Sequence, residues 1–322
     1  MKVLVTGAYG IVGLALVQEL ASRGFQVRAF DLSTFKNKRL SRKLPSSVER
    51  FWGDITEENS VRQALAGVAA VVHLAAIIPP LADKKPHLAE RVNVGGTQNL
   101  LKLMSERAPL APIYFTSSIA VYGDRLRDPY IKLTDPLNPN PDDHYAKHKI
   151  QCEKLIKTSG LKWCIFRLSY IVSERKLKMD PIMFDIPLDT CFEICDARDV
   201  AYALAEALTN KAVLGKTLQI AGGPACRITY REYLKRMFKA YGLGTDFIPE
   251  HSFKKSGFHC GFMDTSESQA LLHYQHITLE DYLQAVEARL AWPRFFIRPF
   301  RRIAQRFVFK RSPYYRLLPN AT

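Results

Sequence analysis

The chain is poor in cysteine, and its cysteines follow no pattern that would join them. Only six of the 322 residues are cysteine, with no Cys-x-x-Cys pair and no Cys/His cluster at zinc-site spacing. We therefore expect reduced thiols in a cytoplasmic protein, and we predict no metal site. Hydrophobic residues make up 47% and charged residues 24% of the chain, which excludes a disulfide scaffold, a fibre and a disordered chain.

Long hydrophobic runs are also absent. The longest, residues 64–82, contains His73 and ends near two prolines, so it predicts a helix end, a turn and a buried strand rather than a membrane span. Met1 and Lys2 lead directly into an apolar strand pattern, and no signal peptide is predicted.

Short β-branched runs alternate with helical patterns over the first half of the chain. The predicted strands are residues 2–6, 25–30, 48–52, 70–74, 113–117 and 161–168, and the predicted helices are residues 11–23, 59–66, 88–107 and 142–159. This alternation predicts an α/β fold with a doubly wound parallel sheet of Rossmann type.

The second half is less regular. It predicts helices over residues 196–208, 229–241 and 278–290 and a short strand over 217–220. We divide the chain into a nucleotide-binding domain, a smaller C-terminal substrate lobe and a basic amphipathic tail. Their predicted ranges are 1–168 with about 193–213, then about 169–192 with 214–290, and finally 291–322.

A glycine-rich turn follows the first strand and opens the first helix. Gly7, Gly10 and Gly13 stand at positions where a backbone turns sharply, approaches a pyrophosphate and packs a helix on a strand. Asp31 ends the second strand, where a carboxylate can accept hydrogen bonds from an adenosine ribose and repel a 2′-phosphate. The glycine turn and Asp31 together predict NAD as the cofactor, with NADP less favoured. Lys36 follows closely in sequence, and its positive charge would weaken the exclusion of NADP.

Tyr145 and Lys149 lie four residues apart, on one face of a predicted helix. A phenol is a poor base at neutral pH, and a nearby ammonium is expected to lower its pKa. The pair can then exchange a proton with a carbinol oxygen while hydride moves to or from nicotinamide. Ser118 follows a predicted strand and could hydrogen-bond the same oxygen. The alternative for Tyr145 and Lys149 is an exposed helix face without a function. The alternative for Ser118 is a turn whose serines hydrogen-bond the turn's own backbone groups.

These motifs occur in the order and spacing of a known family. They are Thr6-Gly7-x-x-Gly10-x-x-Gly13, Asp31, Asp54, His73-Leu74-Ala75-Ala76, Asn93-Val94-Gly95-Gly96-Thr97, Ser117-Ser118 with Val121-Tyr122-Gly123, and Tyr145-x-x-x-Lys149. The chain resembles the extended short-chain dehydrogenases/reductases, the NAD-dependent epimerase/dehydratase family. The resemblance covers about residues 1–170, and more loosely about 190–290.

The resemblance implies a role for each matching position. Ser118, Tyr145 and Lys149 would be catalytic, with Tyr145 as acid/base and Lys149 also binding the nicotinamide ribose. The implied cofactor contacts are Gly7, Gly10 and Ile11 at the pyrophosphate, Asp31 at the adenine ribose, Asp54 and Ile55 at the adenine, and Ala75 and Ala76 near the nicotinamide, with Tyr9, Leu74, Asn93 and Leu168 completing the set.

Two departures from the family pattern bear on the substrate. Ile119 and Ala120 stand where dehydratases of the family carry an Asp-Glu pair, which argues against sugar dehydration. Arg167 matches the arginine of nucleotide-sugar members, but the Asn and Gly-Pro that follow it there are missing.

We expect an oxidoreductase or epimerase acting on a secondary alcohol or ketone, either sugar-nucleotide-like or small and lipophilic. A non-catalytic NAD sensor or scaffold is the alternative.

The C-terminal end lacks negative charge. Residues 288–322 contain nine Arg and Lys and no Asp or Glu, so they carry +9 of the net +15. Phe296, Phe300, Ile303 and Phe307 recur at the spacing of one helical stripe. Such a helix is typical of peripheral contact with an anionic membrane. The alternatives are an arm packed on the body or on a second subunit of a homodimer, and, least favoured, a nucleic-acid contact.

Overall fold

The computed structural model describes residues 1–177, 179–245 and 248–315. Its strands are β1 (Lys2–Thr6), β2 (Gln26–Asp31), β3 (Glu49–Trp52), β4 (Ala70–His73), β5 (Ile113–Ser118), β6 (Tyr130–Ile131), β7 (Trp163–Leu168), β8 (Tyr170–Val172), β9 (Cys191–Asp196), β10 (Thr217–Ile220), β11 (Arg227–Thr229) and β12 (Phe262–Met263).

Its α-helices are α1 (Ile11–Ser22), α2 (Phe35–Ser41), α3 (Glu58–Ala64), α4 (Leu81–Lys84), α5 (Pro86–Glu90), α6 (Gly96–Arg107), α7 (His144–Lys157), α8 (Ala197–Ala207), α9 (Tyr230–Ala240), α10 (Ser266–Leu272), α11 (Leu279–Ile297) and α12 (Arg301–Phe309). A π-helical turn, Arg91–Gly95, joins α5 to α6.

Seven strands form a parallel sheet in the order β10-β7-β5-β4-β1-β2-β3. Alternate residues of each strand point to opposite faces. Val3 and Val5 of β1 therefore pack with one layer of helices and Leu4 packs with the other. Apolar residues on both faces explain why these strands are nearly continuous hydrophobic runs. The predicted Rossmann-type sheet is confirmed.

The smaller lobe has its own core. β11, β9 and β8 form a three-stranded sheet, and buried residues such as Phe192, Tyr233 and Val286 pack this sheet against α9 and α11. One predicted boundary is wrong. β10 lies inside the range 214–290 that was predicted for the lobe, yet it pairs with β7 at the edge of the main sheet. Pairing there satisfies the backbone groups of β7 that would otherwise form an open edge.

The C-terminal segment is not the single helix that the aromatic stripe predicted. α11 continues past Pro293 to Ile297, a 3₁₀ turn follows at Arg298–Phe300, and α12 comes after it. Phe309, at the end of α12, is 2% exposed and packs against Phe184, Phe238 and Phe253 of the lobe. Residues 316–322 of the predicted tail lie outside the described residues. Across the part of the chain that the structure describes, no helix is long and apolar enough to cross a membrane.

The burial of Phe309 predicts that this segment stabilises the lobe. Phe309→Ala removes a buried ring, which typically costs about 3 kcal/mol. The matched control is Phe307→Ala on the same helix, since Phe307 is 68% exposed and its loss should cost less than about 0.5 kcal/mol. Urea unfolding followed by circular dichroism measures both, and equal midpoints for the two variants would contradict the packing.

Candidate active site

The candidate site lies where strands β1, β4 and β5 end at the carboxyl edge of the sheet. Gly7 follows β1 with φ +67°, and a Cβ there would lie 2.8 Å from the Ala75 backbone nitrogen. A Cβ on Gly13 would lie 2.2 Å from the Gly7 carbonyl oxygen. Only glycine fits at either position. No side chain caps the N-terminus of α1, so its first backbone amides are available to a phosphate at the positive end of the helix.

Asp31 lies beside this turn. Its carboxylate accepts hydrogen bonds from the backbone amides of Tyr9 at 3.0 Å and Leu32 at 2.8 Å. Burial raises the pKa of Asp31, while these two bonds and the charge of Lys36 oppose the rise. The ring of Tyr9 stacks on Trp52 with 5.1 Å between ring centres. The structure therefore brings together the glycine turn and the acidic residue that the sequence predicted for a dinucleotide.

A buried histidine connects the ends of β1 and β4. The His73 ring bonds Thr6 Oγ1 at 2.7 Å and Thr97 Oγ1 at 3.0 Å. Thr6 Oγ1 in turn accepts hydrogen bonds from the amides of Leu74 and Ala75, both at 3.2 Å. Burial lowers the pKa of His73 to about 3, so the ring is neutral. It is a structural bridge that fixes the loop after β4.

Asn93 holds the next part of the same loop. Its side chain accepts a hydrogen bond from the Ile77 amide at 2.7 Å and donates one to the Ile77 carbonyl at 2.9 Å. Asn93 lies in the π-helical turn between α5 and α6, where a regular helix over residues 88–107 was predicted. The π-helical turn inserts an extra residue into the helix. From this turn the Asn93 side chain reaches the backbone of Ile77 in the loop after β4.

Tyr145 and Lys149 lie one turn apart at the start of α7, which Asp143 caps by accepting a hydrogen bond from the Ala146 amide at 2.8 Å. Lys149 Nζ donates to the Thr116 carbonyl at 2.6 Å and lies 5.5 Å from the centre of the Tyr145 ring. Burial lowers the pKa of Lys149 to about 8. Ser118, at the end of β5, lies close enough to Tyr145 to lower the pKa of its phenol, so the structure brings the three predicted catalytic side chains together.

The predicted lowering of the Tyr145 pKa is wrong for this arrangement. Burial raises the pKa of the phenol, and the hydrogen bond with Ser118 only partly opposes that rise. The ammonium of Lys149 donates to the Thr116 carbonyl and not to the phenol oxygen. Any base function of Tyr145 therefore needs further positive charge.

A buried network joins Glu153 to Arg167, of which the sequence analysis named only Arg167. Glu153 lies one turn beyond Lys149 on the same face of α7, and the Arg167 guanidinium of β7 donates to both of its carboxylate oxygens at 2.9 and 2.7 Å. Arg167 also donates to the Tyr122 hydroxyl at 2.8 Å. The sequence contains a signal for Glu153, because it lies four residues after Lys149, just as Lys149 lies four residues after Tyr145. This buried network fixes α7 to the sheet.

The lobe reaches the same helix. His259 lies 3.0 Å from the Asp143 carboxylate that caps α7. Burial would raise the pKa of Asp143, but the hydrogen bonds from His259 and Ala146 outweigh it and hold the pKa below its usual value. No functional role was predicted for His259. This contact joins a lobe segment to the first turn of the helix that carries Tyr145.

The remaining predicted cofactor residues are placed as follows. Asp54 accepts two hydrogen bonds from Thr56, at 2.9 and 2.8 Å. Ile55 is buried against Gly96, and Leu168 ends β7, paired with Ser118. Their contacts with a cofactor stay predictions. Within the described ranges, no group of three or more His, Cys, Asp or Glu is arranged to hold a metal.

Comparison with known proteins places this arrangement in a family. The model of the NAD-dependent epimerase/dehydratase family matches residues 3–185. A 3β-hydroxysteroid dehydrogenase/Δ5→4-isomerase of Mycobacterium tuberculosis is 34% identical over 185 residues, 53% of this chain and 47% of the relative. An Escherichia coli O157:H7 epimerase, named N-acetyl-α-D-glucosaminyl-diphospho-ditrans,octacis-undecaprenol 4-epimerase, is 37% identical over 158 residues, 48% and 43% of the two chains.

The fold is shared more widely than the sequence. The crystal structure of UDP-glucuronic acid 4-epimerase from Bacillus cereus, in complex with UDP-glucuronic acid and NAD, superposes with a TM-score of 0.75 at 22% identity. The superposition covers 91% of this chain and 99% of that one. The chain spans about half the length of the curated relatives it matches.

The chain belongs to the NAD-dependent epimerase/dehydratase family, as the motifs predicted.

The buried pair predicts a large cost when one partner is removed. Glu153→Gln leaves the Arg167 guanidinium, which is 4% exposed, without its carboxylate, and should destabilise the fold by about 3–5 kcal/mol. The control is Glu58→Gln, which breaks the surface pair with Lys102 and should leave the unfolding midpoint unchanged. Chemical denaturation compares the two, and a Glu153→Gln midpoint equal to that of the control would refute the anchoring role.

Proposed function

We propose that the protein is an NAD-dependent oxidoreductase or epimerase that acts on a secondary alcohol or its ketone. The observation that carries the proposal is the placement of Ser118, Tyr145 and Lys149 on the same sheet edge as the uncapped glycine turn and Asp31. A cofactor cradle and a proton-transfer group thus share one site. The family, and the NAD bound in the related Bacillus cereus crystal structure, support the same cofactor.

The choice of NAD over NADP follows from Asp31. Its carboxylate is held by two backbone amides at the end of β2, where it can accept hydrogen bonds from the hydroxyls of an adenosine ribose. A 2′-phosphate at that position would meet a negative charge. The nearby charge of Lys36 reduces this repulsion without supplying the bidentate contact that an arginine would offer.

In the oxidation direction, Tyr145 accepts the proton of the substrate hydroxyl. The glycine turn and Asp31 would hold NAD⁺, which would supply the acceptor for the hydride of the carbinol carbon and a positive charge that favours a phenolate nearby. Ser118 donates a hydrogen bond to the reacting oxygen and holds it beside Tyr145. Lys149 stabilises the phenolate from the next helical turn. In reduction Tyr145 returns the proton to the new alkoxide, so the same residues serve both directions.

The substrate class is a ring alcohol or ketone, either lipophilic or part of a sugar. Relatives named as a steroid dehydrogenase and as an epimerase of an undecaprenol-linked sugar support both, and return of hydride to the opposite face of a retained ketone would give epimerisation. Ile119 and Ala120, which follow Ser118, are buried and apolar. The site therefore offers no acid pair for water elimination after Ser118.

The alternative is a non-catalytic NAD sensor or scaffold. Such a protein would need the glycine turn and Asp31 but would have no use for a buried lysine whose pKa burial lowers to about 8. Burying that ammonium beside the half-buried Tyr145 ring lowers stability, and perturbed groups of this kind cluster at functional sites. The catalytic proposal accounts for this arrangement, and the scaffold proposal does not.

Tyr145→Phe tests the proposal. Removing the hydroxyl should lower kcat on a substrate alcohol by at least about a hundredfold, the usual contribution of a general acid/base, while NAD affinity stays within about threefold. The control, Tyr202→Phe, removes a hydroxyl from a half-buried tyrosine on α8 and should leave both unchanged. Full turnover by Tyr145→Phe, measured as NADH absorbance, would leave the scaffold as the remaining explanation.

A further inference from the structure

The C-terminal segment exposes six large apolar side chains between residues 292 and 307. We call the group the aromatic face, and its exposed fractions lie between 56 and 77%. Its members are Trp292, Phe295, Phe296, Phe300, Ile303 and Phe307. Trp292 and Phe295 both pack against Phe296, with ring centres 5.3 and 5.6 Å apart. Single exposed apolar residues are ordinary, but a contiguous patch of this kind marks an interaction surface.

The opposite side of the same segment is fixed to the lobe. Phe309 lies in the lobe core, and Gln305 donates to the Leu243 carbonyl at 2.6 Å. Ser312 donates to the Ser252 carbonyl at 2.6 Å, and the Tyr314 hydroxyl donates to Asp185 at 2.7 Å. The segment thus already buries one apolar side against the lobe. These contacts leave the aromatic face on the outer side of the segment.

The charged residues of the segment that carries the aromatic face all have one sign. Residues 288–315 contain eight Arg and Lys and no Asp or Glu. Among the described residues, none of these eight makes an ion pair. The exposed members are Arg289, Arg298, Arg301, Arg302, Arg306, Lys310 and Arg311. A surface that joins uncompensated positive charge to exposed aromatic rings complements a partner that is both anionic and apolar.

We propose that the aromatic face docks the protein on a membrane that contains anionic lipid. The rings enter the boundary between headgroups and acyl chains, and the arginines meet lipid phosphates and carboxylates. A second copy of the chain is a poor occupant, because a two-fold contact through this face would bring two segments with the same positive charge together. A nucleic acid would use the charge but would leave Ile303 and the packed ring cluster without an apolar partner.

Vesicle sedimentation with the full chain tests the docking. Phosphatidylcholine vesicles with about one-third phosphatidylserine should retain the protein, and pure phosphatidylcholine vesicles should retain it at least tenfold more weakly. The double variant Phe300→Ser with Phe307→Ser should lose at least tenfold in partitioning. Arg301→Glu with Arg302→Glu should lose as much and should bind with weaker salt dependence. Deleting the segment is not a clean test, because it also removes Phe309.

Matched controls lie elsewhere on the surface. Leu110→Ser removes an apolar side chain that is 83% exposed, and Arg107→Glu with Lys211→Glu reverses two exposed charges; both should bind vesicles as the unaltered chain does. Equal binding by the Phe300/Phe307 variant, or no binding to anionic vesicles, would overturn the proposal. Self-association without lipid, or salt-sensitive RNA binding that needs the same phenylalanines, would overturn it in favour of that partner.

Discussion

Two hydrogen bonds from the Arg167 guanidinium to the Glu153 carboxylate hold helix α7 against the sheet, and both side chains are almost fully buried. Such a pair contributes geometry more than stability, because desolvating two charges offsets most of their attraction. Its consequence here is positional. Glu153, Lys149 and Tyr145 follow one another at intervals of four along one helix face, so fixing the first fixes the depth and rotation of the other two.

The sheet supplies the other half of the site. His73 connects the loops after β1 and β4 through Thr6, and Lys149 reaches the backbone of β5. Buried polar contacts of this kind keep reacting groups in place.

Local patterns predicted what depends on local physics. The strand Lys2–Thr6 and the strand Thr217–Ile220 were predicted with the bounds observed, because both are short apolar runs between clear turn signals. The glycine turn, Asp31, Ser118, Tyr145 and Lys149 were found because backbone sterics and helix periodicity fix their spacing. The glycine turn, Asp31 and Ser118 lie at the carboxyl ends of parallel strands, and α7 brings Tyr145 and Lys149 beside that edge.

Features set by distant contacts escaped prediction. Nothing near Asn93 in sequence indicates a π-helical turn, because its partner Ile77 is sixteen residues away. The rise in the Tyr145 pKa depends on burial by several elements. The range predicted for the lobe is wrong at β10, because β10 pairs with β7, which is distant in sequence, and so joins the main sheet. The aromatic stripe was predicted from its spacing with its surroundings left open, and the structure exposes it; the anchoring of its segment by Phe309 depends on the lobe core.

If one sheet edge holds NAD beside a proton-transfer group, the most direct measurement is of the dinucleotide itself. The purified protein is denatured, any released cofactor is identified by mass, and the chain is titrated with NAD and NADP by calorimetry. We predict NAD, either released or bound in the titration, at higher affinity than NADP. Failure to bind either dinucleotide would contradict a cofactor site at this edge, and tighter binding of NADP would contradict the role given to Asp31.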